Sequence, residues 1–281
     1  MMPPKNNKMK YTLWFIPVAV VACLVWLLCA QHSHGETSVS DVAPEQPLVP
    51  ADVSCLLKAD LPEETPQIMV QYTGFEVSFN PAHRIPNYVS WELLGSEVNG
   101  QVSRDSKFIA DKDVYNCAEP SDYRGSGFDR GHMAPAGDMK WSSQAMADSH
   151  YLTNICPQTH ALNGGRWKSL EEKCRQWALR DSALVIVCGP VLTDRLTRTI
   201  GKGVSVPERF FKVILAPFAD PPRAIGFIMP NFGHCDGLEV IAMPVDRVEQ
   251  ATGIDFFSCL PDSIEDRIEA HTNFRDWNRR R

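Results

Sequence analysis

The 281-residue chain contains no Cys-x-x-Cys pair, no Gly-x-Ser-x-Gly turn, no internal repeat and no surplus of positive charge. Each absence excludes something. Without closely paired cysteines, its nine cysteines form neither a zinc ribbon nor a thioredoxin-type redox site. Without the strained turn that lifts a serine above a sheet, a serine hydrolase of that design is excluded, because Gly125-Ser126-Gly127 is too short to make one. A formal charge of −6 excludes a strongly basic coating protein whose affinity comes from neutralising phosphates. It does not exclude an enzyme with a small basic site. With 44% hydrophobic and 22% charged residues, the composition is that of a globular protein rather than a disordered or collagen-like one.

What is present divides the chain into regions. Residues 1–10 carry Lys5, Lys8 and Lys10 and read as a cytoplasmic flank. Residues 11–30, YTLWFIPVAVVACLVWLLCA, carry no charge. At about 1.5 Å per residue they reach roughly 30 Å, the thickness of a bilayer core. This predicts a transmembrane signal anchor that keeps the rest of the chain extracytoplasmic, in the periplasm and held to the inner membrane. The alternative is a signal peptide cleaved after about residue 30, giving a secreted protein. Residues 31–65 are acidic and hold Pro44, Pro47, Pro50 and Pro62, so they read as an extended linker. Most of the negative charge sits there, and 66–281, expected to be the folded domain, has 24 basic and 27 acidic residues. Seven cysteines lie outside the apolar segment, an odd number whose pairing the spacing does not assign.

Within 66–281, QIMVQYTGFEVSFN reads as a hairpin turning at Thr73-Gly74. NYVSWELLGSEV, ALVIVCGP, RFFKVILA and RAIGFIMP read as strands. Trp167 to Arg180, Val245 to Thr252 and Ser263 to His271 have helical composition. The mixture predicts an α+β domain on a largely antiparallel sheet.

The chemistry concentrates in 122–175, which holds DYRGSGFDRGHMAPAGDMK and, further on, HYLTNICPQTHALNGGRWKSLEEKCR. His132 follows Asp129, Arg130 and Gly131, and histidine is the side chain best suited to take a proton near neutral pH. Asn163, Trp167, Glu171 and Arg175 recur every four residues, one stripe of a helix beginning near Asn163. Singly, each has a structural reading: a hydrogen-bonded histidine, a helix cap, a core tryptophan, a surface ion pair. Cys156, His160 and Cys174 are ligand types for zinc, at a spacing that matches no common zinc site.

Together, Asp129-Arg130-Gly131-His132, Tyr151-Leu-Thr-Asn154-Ile-Cys-Pro-Gln158 and Leu162-Asn163-x-x-x-Trp167-x-x-Leu170-Glu171-x-x-x-Arg175 form a pattern. It resembles the non-specific DNA/RNA endonucleases of the His-metal finger (ββα-metal) class, and among them those like endonuclease G. Weaker echoes at Gly189-Pro190, Val206-Pro207 and Phe210-Phe211-Lys212 extend the likeness over about 66–271. Met133 stands where leucine is common and Thr153 where serine is frequent, both mild departures.

The resemblance implies a metal-dependent, sugar-non-specific endonuclease that hydrolyses DNA and RNA to 5′-phosphate and 3′-hydroxyl ends. It makes His132 the general base and Asn163 the direct ligand of Mg²⁺, for which Mn²⁺ can substitute. Glu171 holds metal-bound water, Arg175 and Arg104 face the phosphate, and Arg130 is a further phosphate contact. Asn154 and Gln158 orient the site, Gln158 also touching substrate, while Asp129 fixes the loop or the histidine. Relatives often form homodimers. The competing reading is a membrane-tethered nucleic-acid binding or uptake protein on a nuclease fold, against which the intact His132, Asn163 and Glu171 argue. Phosphate contacts carry no base information, so low sequence specificity follows. Residues 102–180, with 11 basic and 10 acidic residues, are nearly balanced.

Overall fold

A computed structural model describes residues 53–104, 107–193 and 196–279. The expected flank (1–10), apolar span (11–30) and most of the linker lie outside the described residues. No described helix is long and apolar enough to cross a membrane.

The strands in chain order are β1 (Ala59–Asp60), β2 (Ile68–Gln71), β3 (Glu76–Asn80), β4 (Ile85–Leu94), β5 (Asp129–His132) and β6 (Ile155–Gln158). There follow β7 (Ala183–Pro190), β8 (Thr199–Ile200), β9 (Val204–Ser205), β10 (Arg209–Ala216), β11 (Arg223–Pro230), β12 (Ala242–Met243) and β13 (Asp255–Phe256). The helices are α1 (Ser143–Asp148), α2 (Lys168–Asp181), α3 (Leu238–Ile241), α4 (Val245–Thr252) and α5 (Asp262–Glu269). Seven strands form one sheet in the order β12-β11-β10-β7-β4-β3-β2, every neighbouring pair antiparallel. The α+β expectation holds, and the β2–β3 hairpin turns at Thr73-Gly74, where Tyr72 N–H donates to the Phe75 carbonyl.

The unbroken apolar runs of β7 and β10 follow from a sheet covered on both faces. Side chains alternate along a strand, so Phe210, Ile214, Leu184 and Ile186 enter one core with Trp91, Trp167 and Trp177. Phe211, Val213, Leu215, Val185 and Val187 enter a second core with α4, Phe256 and Phe257. The β5–β6 hairpin and α2 lie on the first face, and α4 with α5 on the second.

The fold begins earlier than the expected boundary at residue 66. Leu56 is buried in the second core, and β1 pairs with β13 in the register Ala59↔Phe256. Cys55 is bonded to Cys259, 204 residues away, and the remaining described cysteines are free. The prolines and acids of this stretch mask the few apolar contacts, Val53, Leu56 and Ala59, that fix it to the sheet. Replacing both Cys55 and Cys259 with alanine is expected to lower the unfolding free energy by about 2–4 kcal/mol. Denaturant unfolding measures the loss, and limited proteolysis should then cut near residues 53–65 first.

Candidate functional site

The site is built on the β5–β6 hairpin, paired in the register His132↔Ile155 and Asp129↔Gln158. Alternation along β5 puts Arg130 and His132 on one face, and both line the same cleft. The chain after His132 is held by Asn154, whose Oδ1 accepts from Ala134 N–H at 2.9 Å. Its Nδ2 donates to the carbonyls of Ala134 and Ser149, each at 2.9 Å. Asn154 is fully buried, so it fixes the backbone beside His132 and does not itself reach the cleft.

Gln158 departs from its expected substrate contact. It is fully buried, lies outside the cleft lining, and fills the space beside Gly131, where any Cβ would displace it. The glycine of Asp-Arg-Gly-His is therefore required by close packing.

The helix expected to begin near Asn163 is interrupted. Leu162–Trp167 forms a π-helical turn that breaks at Gly165 (φ −107°, ψ −109°), and the regular helix α2 starts at Lys168. Asn163 is thus not on one continuous stripe with Glu171 and Arg175. It reaches the same cleft because Asp129, on β5, accepts from its Nδ2 at 2.9 Å. With the amide nitrogen committed, Oδ1 is the atom left for a ligand. Asp129 also accepts from exposed His160 at 2.9 Å, and so fixes Asn163 rather than His132. Among the described residues, Cys156, His160 and Cys174 do not converge as a metal site.

The cleft, about 340 Å³, is lined by Arg104, Arg130, Lys168 and Arg175 around His132, Asn163 and Glu171. His132 is largely buried against the rings of Phe108 (5.3 Å between centroids) and His150 (5.0 Å). Loss of hydration, with lesser repulsion from His150 and Arg104, holds its pKa well below the ordinary histidine value. Glu171 moves the other way. Burial pushes it up to about 7, opposed first by Lys212, with Asp138 adding to the rise. Arg175 donates to Asp138 at 2.8 Å, and Asp138, itself buried, also accepts from Trp91 Nε1 at 3.2 Å. The arginine is therefore fixed at one side of its fork. Arg130 donates to the Pro120 carbonyl and stacks over Phe108 and Tyr123, so it is more committed to structure than Arg104.

Several supporting residues escaped the sequence reading. His150 Nδ1 donates to the Met146 carbonyl at 3.0 Å. Lys212 is buried with its ammonium 4.4 Å from the Trp167 ring centre and 5.0 Å from that of Trp91. Asn231 ties the end of β6 to the sheet, accepting from Thr159 N–H at 2.8 Å and donating to the carbonyls of Pro157 and Pro207. Lys168 opens α2 and faces the cleft. The only sequence signal among these was the charge of Lys212 within the otherwise apolar run from Phe210 to Ala216.

Residues 54–263 match the family model described as DNA/RNA non-specific endonuclease. The chain belongs to the DNA/RNA non-specific endonuclease family. All the cleft residues lie within the matched span. The chain is 37% identical over 207 residues to "Nuclease EXOG, mitochondrial" of Danio rerio, a match covering 67% of this chain and 60% of that protein. It is 33% identical over 199 residues to "Endonuclease G, mitochondrial" of Bos taurus, covering 65% and 67%. A chain of the crystal structure of the EndoG/EndoGI complex superimposes with a TM-score of 0.63 at 26% identity, covering 69% of this chain and 87% of that one. The similarity to the EXOG proteins spans only about three fifths of their length.

Within the family fold, Asp129 is the partner that aims Asn163. Asp129→Ala is expected to weaken divalent-cation binding at the cleft by about 10- to 100-fold, read by calorimetric titration, with little change in fold. Because free Glu171 titrates near 7, protons compete with the cation below that value. Divalent-cation affinity should therefore fall as pH drops from 7.5 to 6, and Glu171→Gln should flatten that dependence.

Proposed function

We propose that this chain is a metal-dependent, sugar-non-specific endonuclease hydrolysing phosphodiester bonds of DNA and RNA to 5′-phosphate and 3′-hydroxyl ends. One observation carries the reading: a neutral buried imidazole and a carboxamide share a cleft with four cationic side chains and a single carboxylate. Such a cleft favours a polyanion, and it holds a group that can take a proton at neutral pH.

The donor set fits a hard divalent cation. Asn163 offers its amide oxygen because Asp129 occupies the nitrogen, and Glu171 offers a carboxylate suited to holding coordinated water. We take the ion to be Mg²⁺, with Mn²⁺ able to replace it. When bound, the ion supplies Lewis acidity at the scissile phosphate and the leaving oxygen.

His132 is the general base. Its Nε2 is sealed from solvent, so Nδ1 is the nitrogen assigned to take the proton of the attacking water. Trp167 Nε1 donates to the His132 carbonyl at 3.1 Å and Asn154 fixes the following residues, so the ring is oriented before substrate arrives. Arg104 and Arg175 bind the phosphate, and Lys168 and Arg130 add positive charge to the same cleft. None of these groups reads a base edge, which accounts for indifference to sequence and sugar. The Cys55–Cys259 bond supports an oxidising, extracytoplasmic location, with residues 11–30 as the anchor or cleaved signal.

The full chain is expected to nick supercoiled plasmid and to degrade RNA in Mg²⁺, with activity abolished by chelator. His132→Ala should reduce both rates by at least about 100-fold while leaving nucleic-acid binding in place. Asn163→Ala should reduce them and shift the Mg²⁺ requirement upward. Cleavage of RNA alone, or of neither polymer, contradicts the substrate assignment, and a near-normal rate in His132→Ala contradicts the mechanism.

A further inference from the structure

The face of the sheet opposite the cleft carries a group of converging carboxylates. Asp246 and Glu249 lie one turn apart on α4, and Glu269 ends α5. One carboxylate oxygen from each lies within 4.8 Å of the others. Glu269 is only 4% exposed, and its Oε1 is sealed from solvent with no hydrogen-bond partner. A buried carboxylate oxygen without a donor is strongly disfavoured unless something pairs with it.

The surroundings offer no pairing. Glu249 Oε1 accepts from Phe256 N–H at 2.9 Å, leaving its other oxygen free. Among the described residues, none of the three carboxylates takes part in an ion pair. Beside burial itself, the strongest charges acting on Glu269 from its own helix, from α4 and from β13 are Glu265, Glu249, Asp246 and Asp255, all acidic.

We infer that Asp246, Glu249 and Glu269 form a structural Ca²⁺ site that fastens α5 to α4. Only oxygen donors are present, which selects a hard cation over zinc or copper. Three protein carboxylates in one site favour calcium over magnesium, which gives up its waters reluctantly and is usually held by only one or two carboxylates. Waters complete the shell from the exposed side, where Asp246 and Glu249 are half-buried. The site is distinct from the cleft, which the Asn163 and Glu171 donors serve from the other side of the sheet. Its position beside β13, which pairs with β1, ties both ends of the domain to the same rear layer.

The test uses the full chain in constant saturating Mg²⁺, with thermal unfolding followed in CaCl₂ or in EGTA. Calcium at 100 times its dissociation constant should raise the melting temperature by roughly 5–10 °C, with one extra equivalent bound by calorimetry. Glu269→Gln, an isosteric change, should abolish the shift and the extra equivalent, as should Asp246→Asn. Neither should melt lower than wild type in EGTA, since Glu269→Gln replaces a carboxyl that burial keeps protonated with a neutral group of the same shape and Asp246→Asn removes a repelling charge, and both should keep plasmid nicking in Mg²⁺. Asn163→Ala should retain the calcium shift. An absent shift in wild type, an unchanged shift in Glu269→Gln, or a shift lost in Asn163→Ala overturns the assignment.

Discussion

The indole of Trp167 is the constraint on which the site depends. It stands at the junction of the π-helical turn and α2, packs on Phe210 of the sheet and lies under the Lys212 ammonium. Its Nε1 donates to the carbonyl of His132. One side chain thereby sets the height of the helix on the sheet and the position of the strand that carries His132. Removing a buried indole destabilises a domain by about 3–5 kcal/mol, a large share of a typical 5–15 kcal/mol total. Stability and geometry are therefore drawn from the same contact.

Charge is distributed against the chain's average. The protein is acidic overall, yet the cleft collects four cations, while acids such as Glu249, Glu265 and Glu269 collect on the helices behind the sheet. A low-dielectric wall of Phe108, His150 and the tryptophans concentrates the field of those cations where a phosphate would sit. The same wall keeps His132 neutral. Apolar packing and electrostatics act here through one arrangement, because each ring that dehydrates the imidazole also sharpens the attraction felt by an anion.

Much of this was legible in the residues. A hairpin pattern and apolar runs of strand length bounded by turn residues identified β2, β3, β4, β7, β10 and β11, and the spaced motif, with Arg104 from a looser likeness, named His132, Asn163, Glu171 and Arg175, which all line one cleft. Gln158 was misplaced because strand alternation states a face, whereas its burial depends on the missing side chain at Gly131. The start of the fold was misplaced because the acids and prolines near Leu56 outweigh three buried apolar residues in any compositional reading. His150 and Asn231 were invisible because their roles arise from contacts to backbone carbonyls far away in sequence or unmarked by any pattern. Asp129 was recognised as a positioning residue, but its partner was not, since a four-residue stripe presumes an unbroken helix.

That break at Gly165 has its own consequence. In a continuous helix, a residue gained or lost rotates everything beyond it by about 100° and shifts it by about 1.5 Å. Here the angular phase of Asn163 is imposed from the neighbouring strand through Asp129, and the phase of Glu171 and Arg175 is imposed by the packing of α2 on the sheet. The two halves of the site are thus indexed separately. A change in the length or pitch of one half therefore need not turn the other out of alignment.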